Sequence, residues 1–255
     1  MKILMFGDVV GQIGCNCLGR NLAKLRRQYN ADFVIVNGEN SADGNGITQQ
    51  SAQQLLEMGT DVITTGNHCF RRRCQSIYEN PRILRPANYP EGTEGSGIFT
   101  ADLGRTQITV INLMGTAYME PLDNPFAVAD ALLAQTESKI ILVDFHAEAT
   151  SEKRAMGFYL AGRVSAVVGT HTHVQTADSE LLEGTTAYIT DLGMTGPMRS
   201  VLGVVPELAV QKLRMHTPVT FQEAQGDCMI NGACITVDDR TGRATDITAV
   251  FLRKV

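Results

Sequence analysis

The chain has 255 residues, a formal net charge of −5 and 44% hydrophobic residues. That length suits one large domain or two small ones, with ample chain for a buried core, and the composition is that of an ordinary globular protein. A mildly acidic chain argues against a broad nucleic-acid or membrane footprint, but it is compatible with a small phosphate-bearing substrate held by a metal.

Residues 2–6 are a short apolar run that reads as a first strand ending at Gly7-Asp8. The run is too short for a signal peptide or a membrane span and no later run is long enough, so a cytoplasmic location is expected. Residues 9–14 read as a glycine-rich turn, and 16–29 as a helix with Leu18, Leu22 and Leu25 on one face. A second strand over 33–36 runs into Asn37-Gly38-Glu39-Asn40. Thr48 is the expected N-cap of a helix reaching Met58, with Gly59 as its stop. A third strand over 61–65 leads to Gly66-Asn67-His68. Arg71, Arg72 and Arg73 follow. A solvated basic run is the plain reading of these arginines, and contact with substrate phosphate is the functional one.

Strands over 98–103 and 107–113 join at Gly104-Arg105, and a helix over 126–136 follows a proline-containing loop. A strand over 139–143 ends in Asp144-Phe145-His146-Ala147-Glu148. A helix over 151–160 leads to the β-branched run 164–168, then to Gly169-Thr170-His171-Thr172-His173. In an extended segment alternate side chains share a face, so His171 and His173 are expected to point the same way. A strand over 187–190 ends at Asp191, a helical stretch covers 207–214, and a hairpin turning at 238–242 closes the chain. The cysteines, Cys15, Cys17, Cys69, Cys74, Cys228 and Cys234, include no Cys-x-x-Cys pair. They read as reduced thiols rather than a zinc site.

Alternating strands and helices argue for a layered α/β domain, and the hairpins argue against a purely parallel sheet. In such folds ligands gather at the carboxyl ends of strands. Those ends carry Asp8, Glu39, Asn40, Asn67, His146, His171 and His173. One ion takes about four to six ligands, and a carboxylate such as Glu39 can bridge two ions. A two-metal site follows, with ions roughly 3.5–4 Å apart. Oxygen donors mixed with imidazoles suit iron, manganese or zinc. Two such cations activate a hydroxide, orient a phosphoryl group and stabilise its developing charge, which is phosphoester hydrolysis. Asp144, Glu148 and Asp191 read as partners that orient ligands, or as loop acids, and not as ligands. His216 receives no role.

Gly7-Asp8, Gly66-Asn67-His68, the lone His146 and Thr170-His171-Thr172-His173 together resemble the calcineurin-like metallophosphoesterases. The usual Asp-x-His is here Asp8-Val9-Val10, and the usual Gly-Asp is Asn37-Gly38-Glu39-Asn40. Those departures, with Asp144-Phe145-His146-Ala147-Glu148, Gly162-Arg163-Val164-Ser165-Ala166-Val167 and Thr190-Asp191-Leu192-Gly193-Met194-Thr195-Gly196, resemble the bacterial YmdB-type phosphodiesterases over nearly the whole chain. The resemblance implies a single domain over 1–255, a four-layer α-β-β-α sandwich of two mixed sheets. It implies a di-iron or di-manganese centre that hydrolyses 2′,3′-cyclic nucleotides to 3′-nucleotides. Carried over, Asp8, Asn40 and His173 hold one ion, Asn67, His146 and His171 the other, and Glu39 bridges them. His68 is then the general acid for the leaving ribose oxygen. Where the family has a Trp and then an acid after its Asn-His, this chain has Phe70 and Arg71, a change at the substrate rim.

Two rivals remain in view. Gly7-x-x-x-Gly11-x-x-Gly14 with Glu39 loosely echoes a dinucleotide fingerprint, but the spacing differs, and Asp8 would place negative charge beside a pyrophosphate. A regulatory metalloprotein of RNA turnover acting through protein partners would keep its effect after Asp8→Ala, whereas an enzyme would not. A phosphoesterase of different specificity and a homo-oligomeric state are both left open.

Overall fold

The computed structural model describes residues 1–255. Strands β1 (Lys2–Phe6), β2 (Phe33–Asn37) and β3 (Val62–Thr64) pair in parallel, joined by helices α1 (Gly11–Tyr29) and α2 (Gln49–Glu57). On the other side of β1, β11 (Cys228–Val237) runs antiparallel and pairs in turn with β10 (Gly196–Pro197) and β12 (Ala244–Arg253). The second sheet also has six strands. Its parallel centre is β5 (Gln107–Met114), β6 (Ile140–His146), β7 (Ala166–Thr170) and β9 (Thr186–Ile189). Antiparallel β4 (Ile98–Asp102) and β8 (Glu180–Leu182) form its edges.

Period-two alternation divides each central strand between two cores. On β1, Leu4 and Phe6 pack with Leu18, Leu22 and Leu25 of α1. The alternate residues, Ile3 and Met5, meet Ile108, Ile140 and Val168 of the second sheet. On that sheet Val143, Phe145 and Val167 face outward against Ala129 of α3 (Pro125–Ala134) and Met156 and Leu160 of α4 (Thr150–Leu160). Three cores between four layers make the expected α-β-β-α sandwich of two mixed sheets. The fifth helix, α5 (Pro206–Met215), buries only Ala209. No helix is long and apolar enough to cross a membrane.

Thr48 caps α2 as expected, in a reciprocal box: the Ser51 N–H donates to Thr48 Oγ1 at 3.3 Å and the Thr48 N–H to Ser51 Oγ at 3.0 Å. Helix α1 departs from expectation, because it starts at Gly11 rather than at residue 16. Its glycines serve close packing: a Cβ at Gly14 would lie 2.5 Å from the Thr195 carbonyl oxygen. Strand β6 also runs farther than the expected 139–143 and ends on His146 itself, which puts Asp144 inside the sheet rather than in a loop. The short strands β8 and β10 and a 3₁₀ turn at Gln75–Glu79 gave no periodic signal.

Candidate metal centre

Because β1, β2 and β3 run parallel in one sheet and β6 and β7 parallel in the other, their carboxyl ends converge on one edge of the sandwich. Asp8 follows β1, Glu39 and Asn40 follow β2, Asn67 and His68 follow β3, His146 ends β6, and His171 and His173 follow β7. The ligand atoms of Glu39, His146 and His171 lie within 4.8 Å of one another. His146 Nε2 is 3.0 Å from Asn67 Oδ1, 3.0 Å from His171 Nδ1 and 3.3 Å from Glu39 Oε2. Asp8 and Asn40 approach from the other side, where His173 Nε2 is 3.6 Å from Asp8 Oδ1 and 3.3 Å from Asn40 Nδ2. All seven expected donors are therefore brought together, with Glu39 at the centre.

The chain can approach this closely because it leaves β3 through Gly66, where a Cβ would sit 2.2 Å from the His146 ring. The two late histidines are not on an extended segment, which corrects the expectation of simple alternation. His171 and His173 have φ of 95° and 64°, in the left-handed region that non-glycine residues rarely adopt. Hydrogen bonds to acids from elsewhere in the chain hold that path. The His171 N–H donates to Asp8 Oδ2 at 3.1 Å, and the Thr172 N–H and hydroxyl donate to Asp191 Oδ2 at 3.1 and 2.6 Å. Lys153, a charged residue of α4 that is 1% exposed, donates to the same Asp191 oxygen at 2.8 Å. Sequence reasoning gave Lys153 no role, since a lysine on a helix normally lies in water.

Below the cluster, Asp144 ties the two sheets together. It accepts hydrogen bonds from Thr64 Oγ1, Thr170 Oγ1 and Asn37 Nδ2 at 2.5, 2.7 and 3.1 Å. Since the Thr170 hydroxyl donates to Asp144, His146 Nδ1 must be the donor across its 2.9 Å contact with Thr170 Oγ1. That turns His146 Nε2 toward the cluster, the arrangement in which an outer partner orients a ligand ring. Asp144 thus acts on the His146 ring through the Thr170 hydroxyl. Glu148 pairs with His171 Nε2 at 3.0 Å.

The charges balance locally. Burial alone would raise the Glu39 carboxyl, but the His146 and His68 imidazoles outweigh it and hold the group well below the carboxylate range. Burial opposes a proton on His146, yet Glu39 overcomes it and lifts the imidazole to about 9. Burial, joined by the His146 charge, pushes His171 down to about 4.

The donor set fits a metal cation on one specific ground. Asp8 Oδ1 is buried and has no hydrogen-bond partner. An unpaired buried carboxylate oxygen is costly, and a cation relieves that cost. Asn40 presents its amide nitrogen to Glu39 Oε1 at 2.9 Å and its oxygen to His68 Nδ1 at 2.8 Å. The two ends of an amide have the same shape, and its orientation follows the surrounding network.

His68 also faces a cavity of about 690 Å³ whose walls include Arg71, Arg72, Leu202, Phe221 and Glu223. Of the three arginines read as a solvated run, Arg72 is not free. Its guanidinium donates to the carbonyls of Asn45 and Ala42 at 2.7 and 2.9 Å.

A four-layer sandwich carrying acids, amides and histidines at the facing strand ends is the framework of a metallophosphoesterase. The YmdB-like protein family matches residues 4–250, and the chain belongs to that family. It is 44% identical to a 2′,3′-cyclic-nucleotide 2′-phosphodiesterase of Bacillus subtilis (strain 168), over 99% of this chain and 97% of that one. Among solved structures, a hypothetical protein from Thermus thermophilus superposes with a TM-score of 0.95 at 38% identity, covering 100% of both chains. A structure described as a novel phosphatase from Mycoplasma pneumoniae gives a TM-score of 0.95 at 33% identity, over 100% of this chain and 94% of the other.

Proposed function

We propose that the chain is a single-domain, metal-dependent phosphodiesterase that hydrolyses 2′,3′-cyclic nucleotides to 3′-nucleotides. The observation that carries this reading is the convergence of Glu39, His146 and His171 beside the unpaired Asp8 oxygen and a cavity bordered by His68. The name of the Bacillus subtilis relative supports the substrate class.

Asp8, Asn40 and His173 would hold one ion, Asn67, His146 and His171 a second, and the Glu39 carboxylate would be shared. This donor set is compatible with iron, manganese or zinc, and the family resemblance favours iron. When bound, such ions supply an activated hydroxide and neutralise charge on the phosphoryl oxygens. The chain's own residues do the rest. The Asp144 network fixes the His146 ring, and Asp191 with Lys153 holds the loop that carries His171 and His173. His68 Nδ1 is engaged by the Asn40 side-chain amide at 2.8 Å and lies 3.3 Å from Glu39 Oε1, which leaves Nε2 to carry the transferable proton. Water adds to phosphorus, the bond to the ribose 2′-oxygen breaks, and His68 delivers a proton to that oxygen. Atoms balance as cyclic diester plus water giving the 3′-monoester.

The test is metal content and 2′,3′-cyclic AMP hydrolysis on one purified sample, before and after chelation. Two transition-metal ions per chain are expected, with activity that chelation removes and iron or manganese restores. One ion or none, with no hydrolysis after reconstitution, would overturn the reading.

A further inference from the structure

The cavity beside His68 is built partly from a strap that lies far along the chain. Val204 bridges Glu223 in antiparallel fashion, the Val205 N–H donates to the Gln222 carbonyl at 3.0 Å, and the Ala224 N–H donates to the Gly203 carbonyl at 2.9 Å. The strap is seated against the start of α1. The Glu223 carboxylate lies so close to Gly11 that a Cβ there would be 2.1 Å from Oε1. Held in this way, the strap presents Phe221, 52% exposed, and Leu202, 47% exposed, to the cavity. The phenylalanine and tyrosine pairs of the molecule join Phe70 to Tyr78 and Tyr89, and Phe126 to Tyr159; Phe221 belongs to none of them. Arg71 lines the same cavity, and its guanidinium, unlike that of Arg72, makes no hydrogen bond or ion pair within the protein. An open aromatic face and an unengaged guanidinium thus border one cavity of about 690 Å³. That volume is inside the range of about 300–1,000 Å³ usual for small-ligand sites.

We propose that this cavity is the nucleoside subsite: the base stacks on Phe221, and Arg71 faces the sugar and phosphate oxygens. The assignment rests on the cyclic-nucleotide reading above, and the chemistry of the leaving group selects the side. The oxygen that departs belongs to the ribose, so the ribose lies where its proton donor lies, and His68 borders this cavity. A second cavity, of about 480 Å³, adjoins His173 and not His68, and so does not flank the leaving oxygen. Every base has a π face, so stacking on Phe221 gives preference for a nucleoside over a bare cyclic phosphate with little choice among bases.

The experiment uses the full chain loaded with manganese and two diesters, 2′,3′-cyclic AMP and ethylene phosphate. Both contain the five-membered cyclic phosphate, but only the first has a nucleoside. The wild type should prefer the nucleotide in kcat/KM. Phe221→Ala should shrink that preference by about five- to a hundredfold, the usual worth of one base–aromatic stack, while Phe221→Tyr retains it. A preference unchanged in Phe221→Ala overturns the subsite. Calorimetric titration with 3′-AMP and with inorganic phosphate separates this outcome from failure of the parent reading. If neither diester is hydrolysed but 3′-AMP affinity falls in Phe221→Ala, the diesterase reading fails and the subsite stands. If both diesters turn over equally and 3′-AMP binds no tighter than phosphate, the subsite fails and the diesterase reading stands.

Discussion

Glu39 lies in the donor cluster and Phe221 on the wall of the cavity that His68 borders, and Glu39 is wholly buried where Phe221 is half exposed. The donor cluster is held by strand ends and by hydrogen bonds that cross between the two sheets, through Asp144, Thr64, Thr170 and Asn37. The cavity wall hangs on loops: residues 43–45, the turn with Arg71 and Arg72, and the strap at 221–223. A packed core holds groups to fractions of an ångström, as metal ligation and proton transfer require. Loops on a rigid scaffold tolerate change, which is where substrate choice can vary. Chemistry and specificity are thus assigned to regions of different rigidity, and substitutions in the two should fail differently.

The largest effect is expected from Glu39→Gln, which removes the carboxylate that faces both His146 and His68. Metal affinity should fall by more than the ~10–100-fold typical of an outer partner, with activity lost in parallel; metal analysis after dialysis reads this directly. Full metal occupancy in this variant would show that Glu39 is not a shared ligand. Next comes His68→Ala, for which kcat should drop by about 10²–10⁴ while the metal content stays that of the wild type. Equal turnover would remove His68 from the proton transfer. Lys153→Met tests the buried side through stability. It strands Asp191, which is 0% exposed, without its counter-charge, and the expected loss is about 3–5 kcal/mol by urea denaturation. A change under about 1 kcal/mol would mean that the pair does not brace the histidine loop. The smallest effect belongs to the rim: Arg71→Gln should raise KM for 2′,3′-cyclic AMP only a few-fold and leave the melting temperature alone. A drop in kcat as large as that of His68→Ala would erase the contrast between core and rim.

Much of the centre was legible because its residues sit where strong local signals stop. The runs at 33–36 and 164–168 read as buried strands from composition alone, and Glu39 and His171 follow directly. The residues that the structure brings together were named even where the local path was misjudged. His171 and His173 were expected to converge by strand alternation, and they converge instead through a left-handed turn pinned by Asp8 and Asp191. Hydrogen bonds spanning 163 residues, such as that from His171 N–H to Asp8, leave no trace in a local window.

By itself, then, the sequence determined the layered α/β class and the family likeness, and it named the seven residues that meet at the strand ends, since each depends on short-range periodicity or on residue type. Tertiary structure alone decided that Lys153 is buried, that Asp144 joins the two sheets, and that Phe221 reaches the cavity beside His68. The physical reason is one of range. Periodicity reports which face of an element is apolar, but which distant polar groups satisfy each other is settled only when both sheets have packed and water has been excluded.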